Sequence, residues 1–381
     1  MKSPQRICVI AEGQLGDLLI LSPALRSIKE TFPSAALTVL VIQRRSYEET
    51  GSAVAPVFVE NPAGGTSAVL RSDPHVDRVA EVDREALRAL RGFRRLKAEF
   101  SVVRWLRKGK FDTVVCTFSQ DRFYLWAFLS GARVRVGEEG KTLSVLLSRR
   151  VRKLRSGEGV LATYCGLAEA AGAIISSRRT SVVVPREYAE RADVRWRSLG
   201  LPEESTVVAV HPGASGTYRI WPPEYYAALI DHLQRGKIPV LLLGSAFDSQ
   251  VIEEVRRRCA TPPQIVLTTG VLDLAAYLKK CALCVSNNSG PRHLAVAAGV
   301  PSLALIPRFD DVMWKIYTDE RDAGTMQSSM RCPVCPETAC RNILPPGEQY
   351  GSFCMRALTV EEVTARVDSV LGLAGAVPPA G

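Results

Sequence analysis

At 381 residues the chain is too long for one ordinary domain and suits two, taking roughly 100–200 residues for each. Its 46% hydrophobic and 23% charged residues are the composition of a soluble globular protein, and no apolar run approaches the roughly 18 residues needed to span a bilayer, which excludes a membrane-spanning chain. The formal net charge of +10 cannot choose a fold, but it favours an anionic partner: nucleic acid, an acidic membrane surface or a phosphorylated substrate.

Near the amino end the apolar run Ile7–Ala11 stops at Glu12 and Gly13, without the length or cleavage pattern of a signal peptide, so a cytoplasmic location is expected. Short β-branched runs then alternate with longer amphipathic stretches. Arg6–Ala11, Leu37–Ile42, Val76–Val82, Phe111–Phe118 and Ala132–Val136 read as strands. A second set follows at Ser205–Val210, Pro239–Gly244, Gln264–Leu267, Ala282–Ser286 and Ser302–Ile306, with helices over Pro223–Arg235 and Ser249–Cys259. The expected fold is α/β, with two doubly wound Rossmann-like domains facing a central cleft lined by strand-to-helix loops. Residues 1–186 form the first domain and 203–371 the second; 187–202 is the linker, a charged helix between two prolines, and 372–381 a frayed tail.

Three motifs stand at such loops. Ala11-Glu12-Gly13-Gln14-Leu15-Gly16-Asp17 follows the first strand and precedes a helix over about Leu18–Thr31. Gly13 and Gly16 allow a sharp turn and close approach to a ligand. Asp17 stands at the helix start, where backbone N–H groups favour an ionised carboxylate that can accept a proton; the plain alternative is a helix cap, and the two roles can coexist. The spacing G-x-x-G-D is not the dinucleotide fingerprint G-x-G-x-x-G, which disfavours a nicotinamide enzyme.

The second motif runs from His211 to Pro222, HPGASGTYRIWP. Its small residues, Ser215 among them, expose N–H and hydroxyl groups, and Arg219 offers a fixed positive fork, a combination suited to a nucleoside diphosphate. The alternative is a Gly-rich turn, with Trp221 packed under the next helix. The third is Ser286-Asn287-Asn288-Ser289-Gly290-Pro291-Arg292-His293. Pro291 fits the first helical position, where its missing N–H costs nothing, Asn288 and Ser289 can bond sugar hydroxyls or phosphate, and His293, one of four histidines in the chain, faces the same loop.

Two further clusters carry plainer readings. Between Arg91 and Lys110 lie Arg94, Arg95, Lys97, Arg104, Arg107 and Lys108, and a second basic knot follows at Arg149, Arg150, Arg152, Lys153 and Arg155. Leu90, Phe93, Leu96, Phe100, Val103 and Leu106 recur every three to four residues in the first cluster, so one face is expected to pack on the sheet with the cations on its solvated side. The excess of bases would also suit an anionic leaflet. Six of the ten cysteines are scattered through apolar segments, as buried thiols are. Cys332, Cys335, Cys340 and Cys354 cluster in a pattern open to a structural zinc site, to free thiols or, last in a reducing cytoplasm, to disulfides.

Gly16-Asp17 with Ser22-Pro23-Ala24-Leu25, then HPGAS with Arg219 and WP, then SNNSGPRHLA, resemble in order and spacing the motifs of the ADP-heptose:lipopolysaccharide heptosyltransferases, glycosyltransferase family nine. The resemblance covers residue 6 to about 300, and the segment through Leu371 is also similar. It implies the GT-B architecture and an inverting transfer of heptose or a similar sugar from an ADP-sugar to a lipopolysaccharide core or related glycan. Asp17 would be the general base; Ser215, Arg219, Asn288, Ser289, Gly290 and His293 would hold the donor, and Gly16 and Arg122 the acceptor. The family usually has lysine at the position of Arg219 and aspartate at that of Asn288, so the positive charge is kept and one negative charge beside the donor sugar is lost. The partners implied are the ADP-sugar, an anionic lipid-linked glycan and the inner leaflet of the cytoplasmic membrane, with no nucleic acid. No cofactor is required for catalysis, and any zinc would be structural. The rival readings are a sugar-nucleotide epimerase on the same plan and a non-catalytic nucleotide-sugar-binding protein.

Overall fold

The computed structural model describes residues 4–43, 57–61, 64–152, 159–203, 206–308, 322–336 and 341–373. Ser205, Lys153, Arg155, Cys340 and the tail from residue 374 lie outside the described residues. The chain divides into two compact units, Met1–Val183 and Val184–Gly381.

In the first unit β1 (Arg6–Glu12) leads to α1 (Leu15–Thr31), β2 (Ala36–Gln43), the short β3 (Phe58–Glu60), α2 (Ala68–Arg71), β4 (Arg78–Asp83), α3 (Arg84–Ala89) and α4 (Gly92–Gly109). There follow β5 (Thr113–Cys116), α5 (Asp121–Leu129), β6 (Val134–Glu138), β7 (Arg149–Val151) and α6 (Gly159–Ala171). The sheet order is β3-β4-β2-β1-β5-β6-β7, parallel except where β3 pairs antiparallel with β4. Ile7 to Ala11 are buried without a break, the mark of a parallel strand covered on both faces. The charged β7 and three-residue β3 are edge strands, too short or too polar to announce themselves as apolar runs.

The second unit runs α7 (Arg186–Ser198), β8 (Val208–His211), α8 (Pro223–Arg235), β9 (Val240–Gly244), α9 (Ser249–Arg258), β10 (Gln264–Leu267), α10 (Val271–Leu278), β11 (Leu283–Asn287), α11 (Gly290–Ala297), β12 (Ser302–Leu305), β13 (Asp322–Met326), α12 (Phe353–Arg356) and α13 (Val360–Leu371). Its parallel sheet has the order β10-β9-β8-β11-β12-β13. Met355, Val363 and Val367 join the same core as Trp221, Leu229 and Val285, so the carboxyl segment belongs to this layer.

Two expectations change. The segment 187–202 was expected as a linker, but α7 docks within the second unit. Ala192 and Trp196, one turn apart, are both buried; the Trp196 indole donates to the Pro202 carbonyl at 2.8 Å, and Arg191 and Lys280 make ion pairs with Asp273 (3.0 Å) and Asp193 (2.6 Å) around α10. High surface charge hid a two-residue apolar stripe, which is enough to seat a helix against another. The second change is in α4, whose buried face is Val102, Val103 and Leu106, while Phe93, Leu96 and Phe100 stand in solvent. Among the described residues no helix is long and apolar enough to cross a membrane.

Candidate active site

In the first unit the chain proceeds from β1 toward β2 and β4 on one side and from β5 toward β6 and β7 on the other. The loops leaving β1 and β5 therefore diverge, and the crevice at their carboxyl ends is where open parallel sheets take ligands. The Gly13 N–H donates to the Ile42 carbonyl at 2.9 Å, and the Thr66 hydroxyl donates to the Gly13 carbonyl at 2.7 Å. A Cβ at Gly13 would lie 2.6 Å from Gln43 Oε1 and 3.0 Å from its Cα, so the approach of this turn to β2 requires glycine. Gln14, not Asp17, occupies the N-cap position, and its side chain makes no capping bond. Asp17 is the third residue of α1, 7% exposed, and Oδ1 accepts from the Tyr164 hydroxyl of α6 at 3.3 Å. Burial, followed by the negative charges of Asp17 and Glu12, pushes the Tyr164 pKa well above 10, so this phenol remains a donor. Tyr164 is 147 residues from Asp17 and sits in an Ala-rich helix, which leaves no local signal of the pairing.

Arg122 is the second residue of α5, on the loop that leaves β5. Its Nε lies 3.2 Å from Glu99 Oε1, and the other Glu99 oxygen accepts from the Trp126 indole at 2.7 Å, so α4 holds the guanidinium in place. Arg122 lines an open concavity with Arg84, Arg88, Ser119, Gln120, Asp121 and Lys141. Its lining holds four cations and one carboxylate, and three of the cations are paired from outside the lining, Arg84 with Glu12, Arg88 with Glu85 and Arg122 with Glu99. Arg84, 3.4 Å from Glu12 Oε1, follows β4 and Lys141 follows β6, so adjacent strand ends gather residues that are scattered in sequence.

In the second unit β8 and β11 are neighbours, with Ser286 opposite His211, and the strand order diverges from this pair. The loops His211–Pro222 and Asn287–Gly290 thus leave the sheet side by side. Asn287, fully buried, ties them: its Oδ1 accepts from the Trp221 N–H and the Tyr226 hydroxyl, both at 2.9 Å, and its Nδ2 donates to the Pro212 and Gly213 carbonyls at 2.6 and 3.3 Å. Trp221 is in the core as the plain reading held, its indole donating to the Leu358 carbonyl at 2.8 Å. Ser215 is exposed at the loop tip; Arg219 is half-buried, its Nε 2.9 Å from the Tyr218 hydroxyl, and the Gly351 and Ser352 N–H groups brace residues 217 and 218 at 3.0 Å. Ser289 occupies the N-cap position of α11 without a side-chain capping bond and Gly290 opens the helix, so Pro291 is second in it and not first as expected. Asn288 is buried and Oδ1 accepts from Arg292 at 3.2 Å.

Asp248 is a group that sequence inspection passed over. A Cβ at Gly213 would fall 1.8 Å from its Oδ1, and Oδ2 lies 3.6 Å from His211 Nε2. Burial would raise the Asp248 pKa, but the bond and charge of His211 and two bonds from Ser245 hold it down at about 2. The signal was the Ser245-x-x-Asp248 capping box after β9.

His293 is buried, and burial followed by the Arg292 charge pushes its pKa down to about 3, so it offers a neutral imidazole and no charge to a ligand. The unfolded imidazole takes a proton near 6.5 while the folded one stays neutral. Acidification below that value therefore favours unfolding by up to about 1.4 kcal/mol per pH unit, and above it His293 has no effect. Between about pH 6.5 and 5, where carboxylates titrate little, the melting midpoint is expected to fall, and to fall less in His293→Gln. Equal slopes for the two proteins would show that His293 is not held neutral.

Among the described residues no group of three or more His, Cys, Asp or Glu could hold a metal ion. Cys354 is buried in α12 with its sulfur 3.3 Å from the Ser352 hydroxyl, while Cys332 and Cys335 are half-buried; Cys340, the fourth of the expected set, lies outside the described residues.

Residues 100–341 match the family Glycosyltransferase family 9 (heptosyltransferase), more than half of the chain. Lipopolysaccharide heptosyltransferase 3 of Escherichia coli strain K12 is 24% identical over 323 residues, 80% of this chain and 83% of that protein. Among solved structures, two illustrate the shared fold. That of a family 9 glycosyltransferase from Veillonella parvula DSM 2008 superposes with a TM-score of 0.73 at 19% identity, covering 96% of this chain and 97% of the other. That of the E. coli heptosyltransferase WaaC with ADP-2-deoxy-2-fluoro heptose gives 0.67 at 16% identity, covering 96% and 99%. The two α/β units are thus the domains of a GT-B fold, and the chain belongs to glycosyltransferase family 9, the heptosyltransferase family.

Proposed function

We propose that this enzyme transfers heptose from ADP-heptose, with inversion, to a hydroxyl of an anionic lipid-linked glycan such as a lipopolysaccharide core, acting in the cytoplasm at the face of the membrane. The observation that carries the reading is Asp17: a buried carboxylate in the first turn of α1, the helix that follows β1, hydrogen-bonded by Tyr164. Asp17 takes the proton from the acceptor hydroxyl as its oxygen bonds to the anomeric carbon; the bond from that carbon to the diphosphate breaks on the opposite face, and ADP departs with the electron pair. Arg219, Ser215 and the first N–H groups of α11 at Gly290 stabilise the charge that grows on the diphosphate. Asn288 and Ser289 face the donor sugar, and His293 supports them as a neutral group. Gly16 lets the acceptor approach α1, and Arg122, braced by Glu99, meets an acceptor carboxylate or phosphate. These protein groups supply the charge stabilisation, so no metal ion is called for. The similarity to the solved structure of a heptosyltransferase with ADP-2-deoxy-2-fluoro heptose supports the choice of donor.

The donor is tested by melting the protein with nucleoside diphosphates. A ligand bound only by the folded state at a hundredfold excess over Kd adds about 2.7 kcal/mol. ADP is expected to raise the midpoint clearly more than UDP, GDP or CDP, and Arg219→Ala to weaken all four alike, because the diphosphate is common to them. A UDP shift as large as that of ADP overturns the donor assignment. Loss of donor without an acceptor would mark an epimerase, and no shift with any nucleotide would count against a nucleotide-sugar site.

A further inference from the structure

The exposed side of α4 carries large apolar side chains among cations. Phe93, Leu96 and Phe100 are 79%, 68% and 65% exposed. At 100° per residue the three fall within an arc of about 60°. Arg104 and Arg107 continue the same line toward the carboxyl end, and Lys97 and Lys108 flank it, all exposed. The rest of the circumference is pinned: Val102, Val103 and Leu106 lie in the core of the first unit, Val103 at the edge of the exposed arc. Glu99, the sole acid in α4, is turned inward to Arg122 and Trp126. The outer face therefore presents apolar side chains among cations with no acid of its own.

We infer that this face of α4 lies in the interface of an anionic lipid bilayer. A helix that does so sinks its aromatic and aliphatic side chains just below the headgroups, while its Lys and Arg side chains reach the phosphate layer. Charge decides against the other candidate, a second copy of the chain: paired α4 helices would set the same row of cations against itself, whereas anionic headgroups neutralise it. The carboxylate of Glu99 links this helix to Arg122, so docking α4 brings the concavity that Arg122 lines near the bilayer that anchors the acceptor. The inference rests on the reading of a lipid-linked acceptor for its purpose, but its test needs neither nucleotide nor turnover.

The full chain is sedimented with phosphatidylcholine vesicles, with and without phosphatidylglycerol. It is expected to bind the anionic vesicles and to be released by salt. The triple variant Phe93→Ser, Leu96→Ser, Phe100→Ser keeps the net charge, and is expected to bind them about tenfold more weakly or worse, since its apolar anchors are gone. Its melting midpoint and its response to ADP should match those of the parent, as the three side chains touch no core. Lys97→Gln with Arg104→Gln and Lys108→Gln should lower the salt-sensitive part of binding. Undiminished binding by the serine variant, or no binding by the parent chain, overturns the inference. So does a parent dimer that the serine substitutions convert to monomer in sedimentation velocity, which would assign the stripe to a second copy. Failure of the ADP test with vesicle binding intact would strike the donor reading alone.

Discussion

Asp17→Asn is expected to lower kcat for sugar transfer by about two to four orders of magnitude, the range for loss of a general base, with donor KM and the ADP-induced rise in melting midpoint little changed. Asparagine preserves the size of the side chain and can still accept from Tyr164 through its carbonyl oxygen, but it cannot take a proton from an acceptor hydroxyl. A loss confined to kcat means that the missing interaction exists only in the transition state. Tyr164→Phe removes a single donor at 3.3 Å and is expected to cost much less, because the tyrosine positions the carboxylate without receiving the proton. Turnover of folded Asp17→Asn within a few-fold of the parent would remove Asp17 from the mechanism.

The largest effect on stability is expected at Asn287. In Asn287→Asp the amide that donates to the Pro212 and Gly213 carbonyls becomes a second acceptor, and a charge is placed among fully buried groups. Each buried polar group left unpaired costs about 1–3 kcal/mol, and more where a charge is involved. The transition of the second unit is expected to move down by several kcal/mol, and the ADP-induced shift to disappear, since both donor loops hang on this side chain. Asn287→Ala keeps the site uncharged but frees the Trp221 N–H and the Tyr226 hydroxyl as well as the two carbonyls, so it is also strongly destabilising. A chemical-denaturation midpoint unchanged in both variants would show that the four bonds are not what fixes the loops.

The strand runs, the α/β class and the three loop motifs were legible because each is local. Consecutive burial on both faces of a parallel strand demands an apolar run, as in Ile7–Ala11 and Leu241–Leu243, and a loop between strand and helix demands small or capping residues. The order of the motifs was enough to identify the family. What periodicity misjudged was direction. In α4 the repeat of Leu90, Phe93, Leu96, Phe100, Val103 and Leu106 predicts one packing face; Val103 and Leu106 are buried, together with Val102, but Phe93, Leu96 and Phe100 stand in solvent. Spacing reports that apolar residues share a side, not whether anything covers it.

Sequence by itself determined the secondary structure of the core, the two-sheet architecture and the chemical types gathered at the strand ends, because backbone hydrogen bonding and apolar burial act on residues near one another along the chain. Only the tertiary structure decided the pairings that span it. Tyr164 meets Asp17 across 147 residues, Arg122 is braced by Glu99 of another helix, and α7 joins the second unit through Trp196. Asn287, one of two adjacent asparagines, turns out to be the one that fastens two loops 75 residues apart. Such contacts depend on which strands lie side by side, and strand order follows from the packing of whole layers, a property that no window of sequence contains.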